Sequence, residues 1–330
     1  MNKMPTLSVG MCNYNYAQFI GEALESIFRQ SFLPMEVIIV DDGSTDNSVE
    51  VIEKYMKLYS NIKLFKNERN MGVNYSINRC LSNAAGDYYC PVSSDDILLP
   101  AFFERSTNLL IKYPHAGLCF SDWAIKDKGK LIEMKAYLSE KPCYFSPDEF
   151  ENILLHCEYT VIGGISVVAK RAALIEAGGY MPELKAASDV FMNHVVSLRY
   201  GACYFPEIVA VLRRQKDQYS SKKFRPIKVE MEIVSHAMDI LLTPKYADVL
   251  AKFKRATPFS HCSWDVLKLV LSNKKYREFF SMKLLRYALF DRFIRRILLF
   301  VLPMDFWRII LGRYRSLRFQ LSKLFRKGRK

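Results

Sequence analysis

Two pairs of adjacent carboxylates, Asp41-Asp42 and Asp95-Asp96, each close a run of β-forming residues, EVIIV in the first case and DYYCPVS in the second. Four carboxylates brought to one edge of a sheet repel one another unless a cation or hydrogen-bond donors compensate them. An all-oxygen set of this kind suits Mg²⁺ or Mn²⁺, and such a cation would also hold a diphosphate. Tyr14, just past the first apolar run, offers a ring on which a planar base could stack. Neither a Walker A loop nor a GxGxxG follows that run, which argues against ordinary nucleotide hydrolysis and dinucleotide redox chemistry. The plainer reading is a set of solvated strand-end turns, with Asp46 and Asn47 as helix caps and Glu50 completing a capping box.

Those residues need elements to position them. LSVGMCNY reads as a first strand, residues 17–30 as a helix, EVIIV as a strand buried on both faces and residues 48–58 as a helix. IKLFKN, the glycine-led helix NMGVNYSINRCLSNA and the strand DYYCPVS follow, then a helix over residues 100–113 and the strand AGLCFSDWAI. Strands alternating with helices of this length predict an α/β fold with a doubly wound, mostly parallel sheet, in which ligands bind beyond the carboxyl ends of the strands. From residue 126 to 219 the pattern is less regular. A strand, a helix, the loop GGYMPEL, a helix over 188–200 and a last strand can be picked out. Read by itself, Asp189 is a cap of that helix. The catalytic domain is expected to span 1–225, and a helical, basic region 226–330.

The chain of 330 residues is half apolar, enough for one large domain with an appendage or two modest domains. Its eight cysteines are scattered without a CxxC pair and read as reduced core residues of a cytoplasmic protein. The start lacks a long apolar stretch after its single Lys, arguing against a secretory signal, and no run is long enough for a membrane-spanning helix. His115, His156, His194, His236 and His261 show no metal spacing. The net charge of +14 is not evenly spread. Between Ser263 and Lys330 eighteen Lys and Arg stand against four acids, so the rest of the chain is close to neutral. Phe290, Phe293, Ile294, Ile297 and Val301, then Trp307, Ile310, Tyr314, Leu317, Leu321 and Leu324, repeat at helical spacing among the arginines. Basic amphipathic helices of this kind lie on anionic membrane surfaces, and the bulky stripes argue against nucleic acid as the partner.

LSVGMCNYNYAQFIGEALESIFRQSFLPMEVIIVDDGSTDNS, NERNMGVNYSINRCLSNAAGDYYCPVSSDDILLP and GGYMPELKAASDVFM, in that order over about residues 5–220, resemble the inverting glycosyltransferases of family 2, of the surface-polysaccharide type and with the GT-A fold. The resemblance implies transfer of a sugar from a nucleotide-diphosphate donor, expected to be a UDP-sugar, to a glycan acceptor. It places Tyr14 against the base and Asp41 as the carboxylate that accepts a hydrogen bond from it, with Asp42 beside it. Asp95 falls at the last Asp of the metal-binding DxD and Asp96 directly after, whereas the first Asp of that motif is Ser93. Asp189 matches the general base. In NMGVNYSIN, Asn70, Gly72 and Asn78 match the family pattern while Ile77 stands where an Arg is common, and Gln215 stands near the position of a metal-binding His. Arg213 or Arg214 then reaches the diphosphate.

The expectation is therefore an Mg²⁺- or Mn²⁺-dependent transferase, peripheral on the cytoplasmic face of the membrane, with a lipid-linked oligosaccharide acceptor. Trp123 would line the acceptor pocket or pack in the core, and Gly178-Gly179 would form a tight loop near it or end a helix. The rivals are a catalytically inactive binding protein on the same fold, suggested by Ser93, Ile77 and Gln215, and a sugar nucleotidyltransferase, which lacks its glycine-rich basic loop here.

Overall fold

The structure, a computed structural model, describes residues 4–156, 162–214, 226–256 and 263–289. The predicted alternation is present: β1 (Leu7–Asn13), α1 (Ala17–Phe28), β2 (Glu36–Asp41), α2 (Ser48–Leu58), β3 (Ile62–Lys66), α3 (Val73–Asn83) and β4 (Tyr88–Ser93) follow one another. Then come β5 (Ile97–Leu98), α4 (Phe102–Lys112), β6 (Leu118–Asp127), β7 (Lys130–Met134), β8 (Cys143–Phe145) and α5 (Pro147–His156). After the break, β9 (Val167–Lys170), α6 (Arg171–Glu176), α7 (Ser188–Tyr200) and β10 (Ala202–Arg213) complete the sheet. Helices α8 (Ile227–Leu241), α9 (Ala247–Ala256), α10 (Ser263–Ser272) and α11 (Met282–Leu289) close the described chain.

The main path of the sheet is β3-β2-β1-β4-β9-β6-β10-β5. β3, β2, β1 and β4 are parallel, and β10 is parallel to β6. β9 runs antiparallel between β4 and β6, and this reversal points its start toward the carboxyl side of the sheet, with Val167 opposite Phe120 of β6. β7 adds to β6 and β8 to β10, both antiparallel. β2 shows why the sheet is covered on both sides. Val37 and Ile39 face a cluster with Ile20, Leu24 and Phe102, from α1 and α4, while Ile38 and Val40 face a cluster with α3, α5 and α7. Strand side chains alternate between faces, so an unbroken apolar run needs two apolar layers. Each fully buried aliphatic side chain contributes about 2 kcal/mol of transfer energy.

The second layer reaches further than the strand pattern indicates. Met238 and Leu241 of α8, Val249 and Phe253 of α9, Val266 and Val270 of α10 and Leu284 of α11 belong to the same buried cluster as Phe150 of α5 and Val195 of α7. The expected boundary near 225, Gln215 and the basic stripes from Phe290 onward lie outside the described residues.

Three local expectations are corrected. Asn47 precedes α2 without a side-chain cap bond, so the capping box with Glu50 does not form. Asp46 supplies the cap, its carboxylate accepting from the Ser48 and Ala17 backbone N–H groups. α1 ends at Phe28, because Gln30 turns inward and donates to the Ser26 and Leu99 carbonyls. The less regular middle contains β7, β8 and α5, whose short or half-exposed segments carry too little periodicity to announce them.

Candidate active site

The register of the parallel strands sets out the site. Asn13 pairs with Asp41 across β1 and β2, Asp41 with Lys66 across β2 and β3, and Cys12 with Ser93 across β1 and β4. Asn13, Asp41 and Ser93 therefore stand in a row along the carboxyl edge. Arg213, at the end of β10, reaches the same edge.

At one end of that row the carboxylates are fully engaged by the protein. Asp41 Oδ1 accepts from the Ser44 backbone N–H (2.9 Å), and Oδ2 accepts from Ser44 Oγ (2.7 Å) and Asn13 Nδ2 (2.8 Å). Asp42 accepts from Asn67 Nδ2 (2.7 Å) and from the Met71 and Gly72 backbone N–H groups (2.9 Å each). Asn70 Oδ1 accepts from the Gly72 N–H as well, and Gly72 takes a left-handed φ of 91°. Thus Asn70, Gly72 and Asp42 come together as the device that shapes the loop ahead of α3. Gly43 lets the β2–α2 loop abut this one, since a Cβ there would meet Arg69 backbone carbon at 2.7 Å. Tyr14 stays at the surface, 41% exposed, with the next residue tied down: Asn15 Oδ1 accepts from the Thr45 N–H.

The four-carboxylate convergence expected from the sequence is not what forms. Among the described residues no group of three or more His, Cys, Asp or Glu is placed to hold a metal ion. The physical reason is that hydrogen-bond donors already satisfy the first pair, leaving Asp95 and Asp96. Both are buried, and Asp96 Oδ1 has no hydrogen-bond partner. Burial, and then the Asp95 carboxylate beside it, pushes the Asp96 acid well above the usual carboxylate range, against hydrogen bonds from Ser93 and the Arg213 backbone and the Arg213 charge. Two carboxylates and the Ser93 hydroxyl form an oxygen-only set with one buried acceptor unsatisfied, which fits a hard divalent cation.

Arg213 is brought beside Asp96, yet its guanidinium is engaged elsewhere: it pairs with Glu22 and lies over the Phe19 ring at 5.3 Å. Its Nε is buried without a partner. Arg214 pairs with Asp127 at 2.8 Å. Ile77 is a core residue of α3, while Arg79 on the same helix bonds the Lys66 carbonyl and Asn67 Oδ1.

Asp189 lies in the first turn of α7, half-buried, with Oδ1 accepting from the Val190 N–H. α7 precedes β10, which is parallel to β6, so its N-terminus also faces the carboxyl edge. Two asparagines on α3 hold the loop leading to Asp189. Asn78 donates to the Tyr180 carbonyl (2.6 Å) and accepts from its N–H (2.8 Å), and Asn74 donates to the Met181 and Lys185 carbonyls. Gly179, with φ 68°, brings the backbone so close that a Cβ would stand 2.7 Å from Asn78 Oδ1. Gly178-Gly179 ends α6, its N–H groups donating to the Ile175 and Leu174 carbonyls, and turns the chain before Tyr180. Sequence reasoning missed Asn13, Asn67, Asn74 and the tethering role of Asn78. An Asn at a strand end, in a loop or on a helix carries no sign of its partner, which is visible only in three dimensions.

Residues 8–168 match the model of glycosyl transferase family 2. An uncharacterized glycosyltransferase of Haemophilus influenzae is 33% identical over 162 residues, 47% of this chain and 46% of that protein. The matched stretch spans less than half the length of each of the first three curated relatives. Among solved structures, S. aureus TarS 1-349 in complex with UDP is similar with a TM-score of 0.59 at 20% identity, covering 82% of this chain and 75% of that one. A mannosyltransferase of Pyrobaculum calidifontis in complex with GDP-Man and Mn²⁺ is similar with a TM-score of 0.50 at 19% identity, covering 88% of each chain. These neighbours establish the fold that the resemblance implied.

Proposed function

We propose, for a chain that belongs to glycosyl transferase family 2 through residues 8–168, that it is an inverting transferase. It would move a sugar from a nucleotide-diphosphate donor, a UDP-sugar in the first instance, to a glycan acceptor. The observation that carries this reading is the buried Asp95-Asp96 pair with its unpartnered Oδ1 at the carboxyl edge, one strand away from Asn13. A Mg²⁺ or Mn²⁺ bound there would supply positive charge to the diphosphate as it leaves.

The protein's own groups do the rest. The exposed Tyr14 ring offers the base a stacking surface, and the Asp41 and Asp42 networks hold the loops around it. The acceptor hydroxyl oxygen forms a bond to the anomeric carbon while the bond from that carbon to the diphosphate oxygen breaks, its electron pair leaving with the diphosphate. The hydroxyl proton passes to the Asp189 carboxylate, which an alkoxide-forming step requires because the hydroxyl pKa is high. One displacement inverts the anomeric centre. Arg213 supports Asp96 electrostatically, and a diphosphate contact would require it to leave Glu22.

The basic stripes from Phe290 onward supply a reason to place the enzyme on the cytoplasmic face of an anionic membrane, working on a lipid-linked acceptor for a surface polysaccharide. Among the described residues no helix is long and apolar enough to cross a membrane.

Calorimetric titration of UDP with and without Mn²⁺ tests the reading. Metal-dependent binding is expected, lost in Asp95→Ala and kept in Asp189→Asn, whose turnover should fall about 10²–10⁴-fold. Absence of binding for UDP, GDP and the other nucleoside diphosphates would refute it in favour of an inactive binding protein.

A further inference from the structure

The turn that opens β9 carries two consecutive glycines, Gly163 and Gly164, and each is pressed by a different side chain. A Cβ on Gly163 would overlap the Trp123 indole Nε1, and a Cβ on Gly164 would overlap Asp189 Oδ2. Neither glycine has a left-handed φ, so close approach, not backbone conformation, is what excludes a side chain here. The turn itself is anchored: Ser166 Oγ donates to the Ser121 carbonyl on β6 at 2.8 Å, and the Ser166 N–H to the Gly163 carbonyl at 3.2 Å. Trp123 is held on the strand that also pairs it with Met134, and its neighbour Asp122 accepts from Tyr204 Oη and the Ala136 N–H at 2.9 Å each.

Consecutive Cα atoms stand about 3.8 Å apart, and the extended Gly163 (φ −82°, ψ 133°) turns the two Cβ directions apart, so the indole edge and the carboxylate flank adjacent residues of one anchored turn. Both side chains remain partly exposed. An aromatic surface next to a carboxylate suits a pyranose, which presents an apolar C–H face to the ring and hydroxyls at its rim. The placement along the sheet agrees. From β1, where Asn13 and Tyr14 stand, to β6, where Trp123 stands, there are three strand steps through β4 and β9, or about 14 Å at the usual spacing. Asp95-Asp96 follows β4, between the two ends.

We infer that Trp123, backed by Gly163-Gly164, is the acceptor-sugar subsite: a pyranoside ring stacks on the indole and turns its reacting hydroxyl toward Asp189. This rests on the transferase reading above, with Asp189 as the base, and adds to it the class of acceptor and the residue that selects it.

Saturation-transfer NMR of a panel of methyl pyranosides, added to the full-length protein with UDP and Mn²⁺, tests the subsite. At least one glycoside should receive saturation on the C–H protons of one ring face. That signal should drop at least fivefold in Trp123→Ala and in Gly163→Ala and return in Trp123→Phe, while UDP protons stay saturated in every variant, which also shows that each is folded. Glycoside signals unchanged in Trp123→Ala would overturn the subsite, as would a panel that receives no saturation while UDP does; either leaves the transferase reading standing. Failure of UDP itself to bind the wild type would remove that reading and the subsite with it.

Discussion

The two acidic pairs end neighbouring parts of one sheet edge and have been put to opposite uses. Asp41 and Asp42 together accept six hydrogen bonds from Asn13, Ser44, Asn67, Met71 and Gly72. Asp95 and Asp96 are equally buried, yet Asp96 keeps an oxygen without a partner and its acid is pushed up by burial and by its neighbour. The same residue type at the end of a strand is thus fully hydrogen-bonded where donors surround it and keeps an unsatisfied oxygen, at Asp96, where they do not. Removing a pair member should separate the two cases.

The largest effect is expected at the satisfied pair. Asp42→Ala removes three hydrogen bonds to a buried carboxylate, from Asn67 Nδ2 and the Met71 and Gly72 N–H groups, while Asn67 keeps Ser76 Oγ and Gly72 keeps Asn70 Oδ1 as acceptors. The cost is about 4 kcal/mol of stability, since a hydrogen bond to a charged group contributes about 1.5–3 kcal/mol. Urea denaturation measures it. A loss under 1 kcal/mol would mean that the 67–72 loop is held by something other than Asp42.

A second orphan atom sharpens the contrast. His194 of α7 is buried against the Phe150 ring with Nε2 unpartnered, and burial first, then the Lys283 charge, lowers its pKa to about 4. Its folded pKa lies below the ordinary 6.5, so the unfolded chain takes up the proton first. Stability is therefore complete above about pH 6.5 and falls as the pH drops toward 4, by up to about 3 kcal/mol. His194→Met should flatten that slope between pH 4 and 6.5; an unchanged slope would assign the acid lability to other groups. No cation should rescue this site, because it lies in the core and not at the edge.

Asp96 should respond to a cation. Mn²⁺ at a hundredfold excess over its dissociation constant stabilises a folded protein by about 2.7 kcal/mol, and thermal melts should show a shift of that order in the wild type and none in Asp96→Asn. A shift that survives the substitution would place the ion elsewhere.

How much of this was readable beforehand follows from where the signal lies. EVIIVDD announces a buried strand and its acidic end without help, because burial on both faces needs four consecutive apolar residues. Which carboxylates stay unsatisfied depends on Asn13, Ser44 and Asn67, and a loop asparagine gives no hint of its partner. β7 and β8, whose residues alternate weakly and sit half-exposed, were invisible for lack of a hydrophobic period. Gly163-Gly164 looks like any flexible pair until Trp123 and Asp189 are found against it.

The smallest predicted effect concerns what joins the two ends of the site. Asp42 fixes the loop before α3, and Asn78 on α3 clamps both backbone groups of Tyr180, on the segment that leads to Asp189. Asn78→Ala should cost only about 1 kcal/mol in stability, since Tyr180 is also held by its burial in the core. The functional consequence should be selective. Nucleotide affinity, which the proposal assigns to the loop ahead of α3, should not change, while turnover falls because the loop carrying Asp189 loses its two-point hold at Tyr180, and a misplacement near 1 Å can cost on the order of 100-fold. If affinity and turnover fell together, α3 would serve the donor loop alone, and the position of Asp189 would depend on the Gly164 turn and Ser188, whose Oγ accepts from the Met181 N–H.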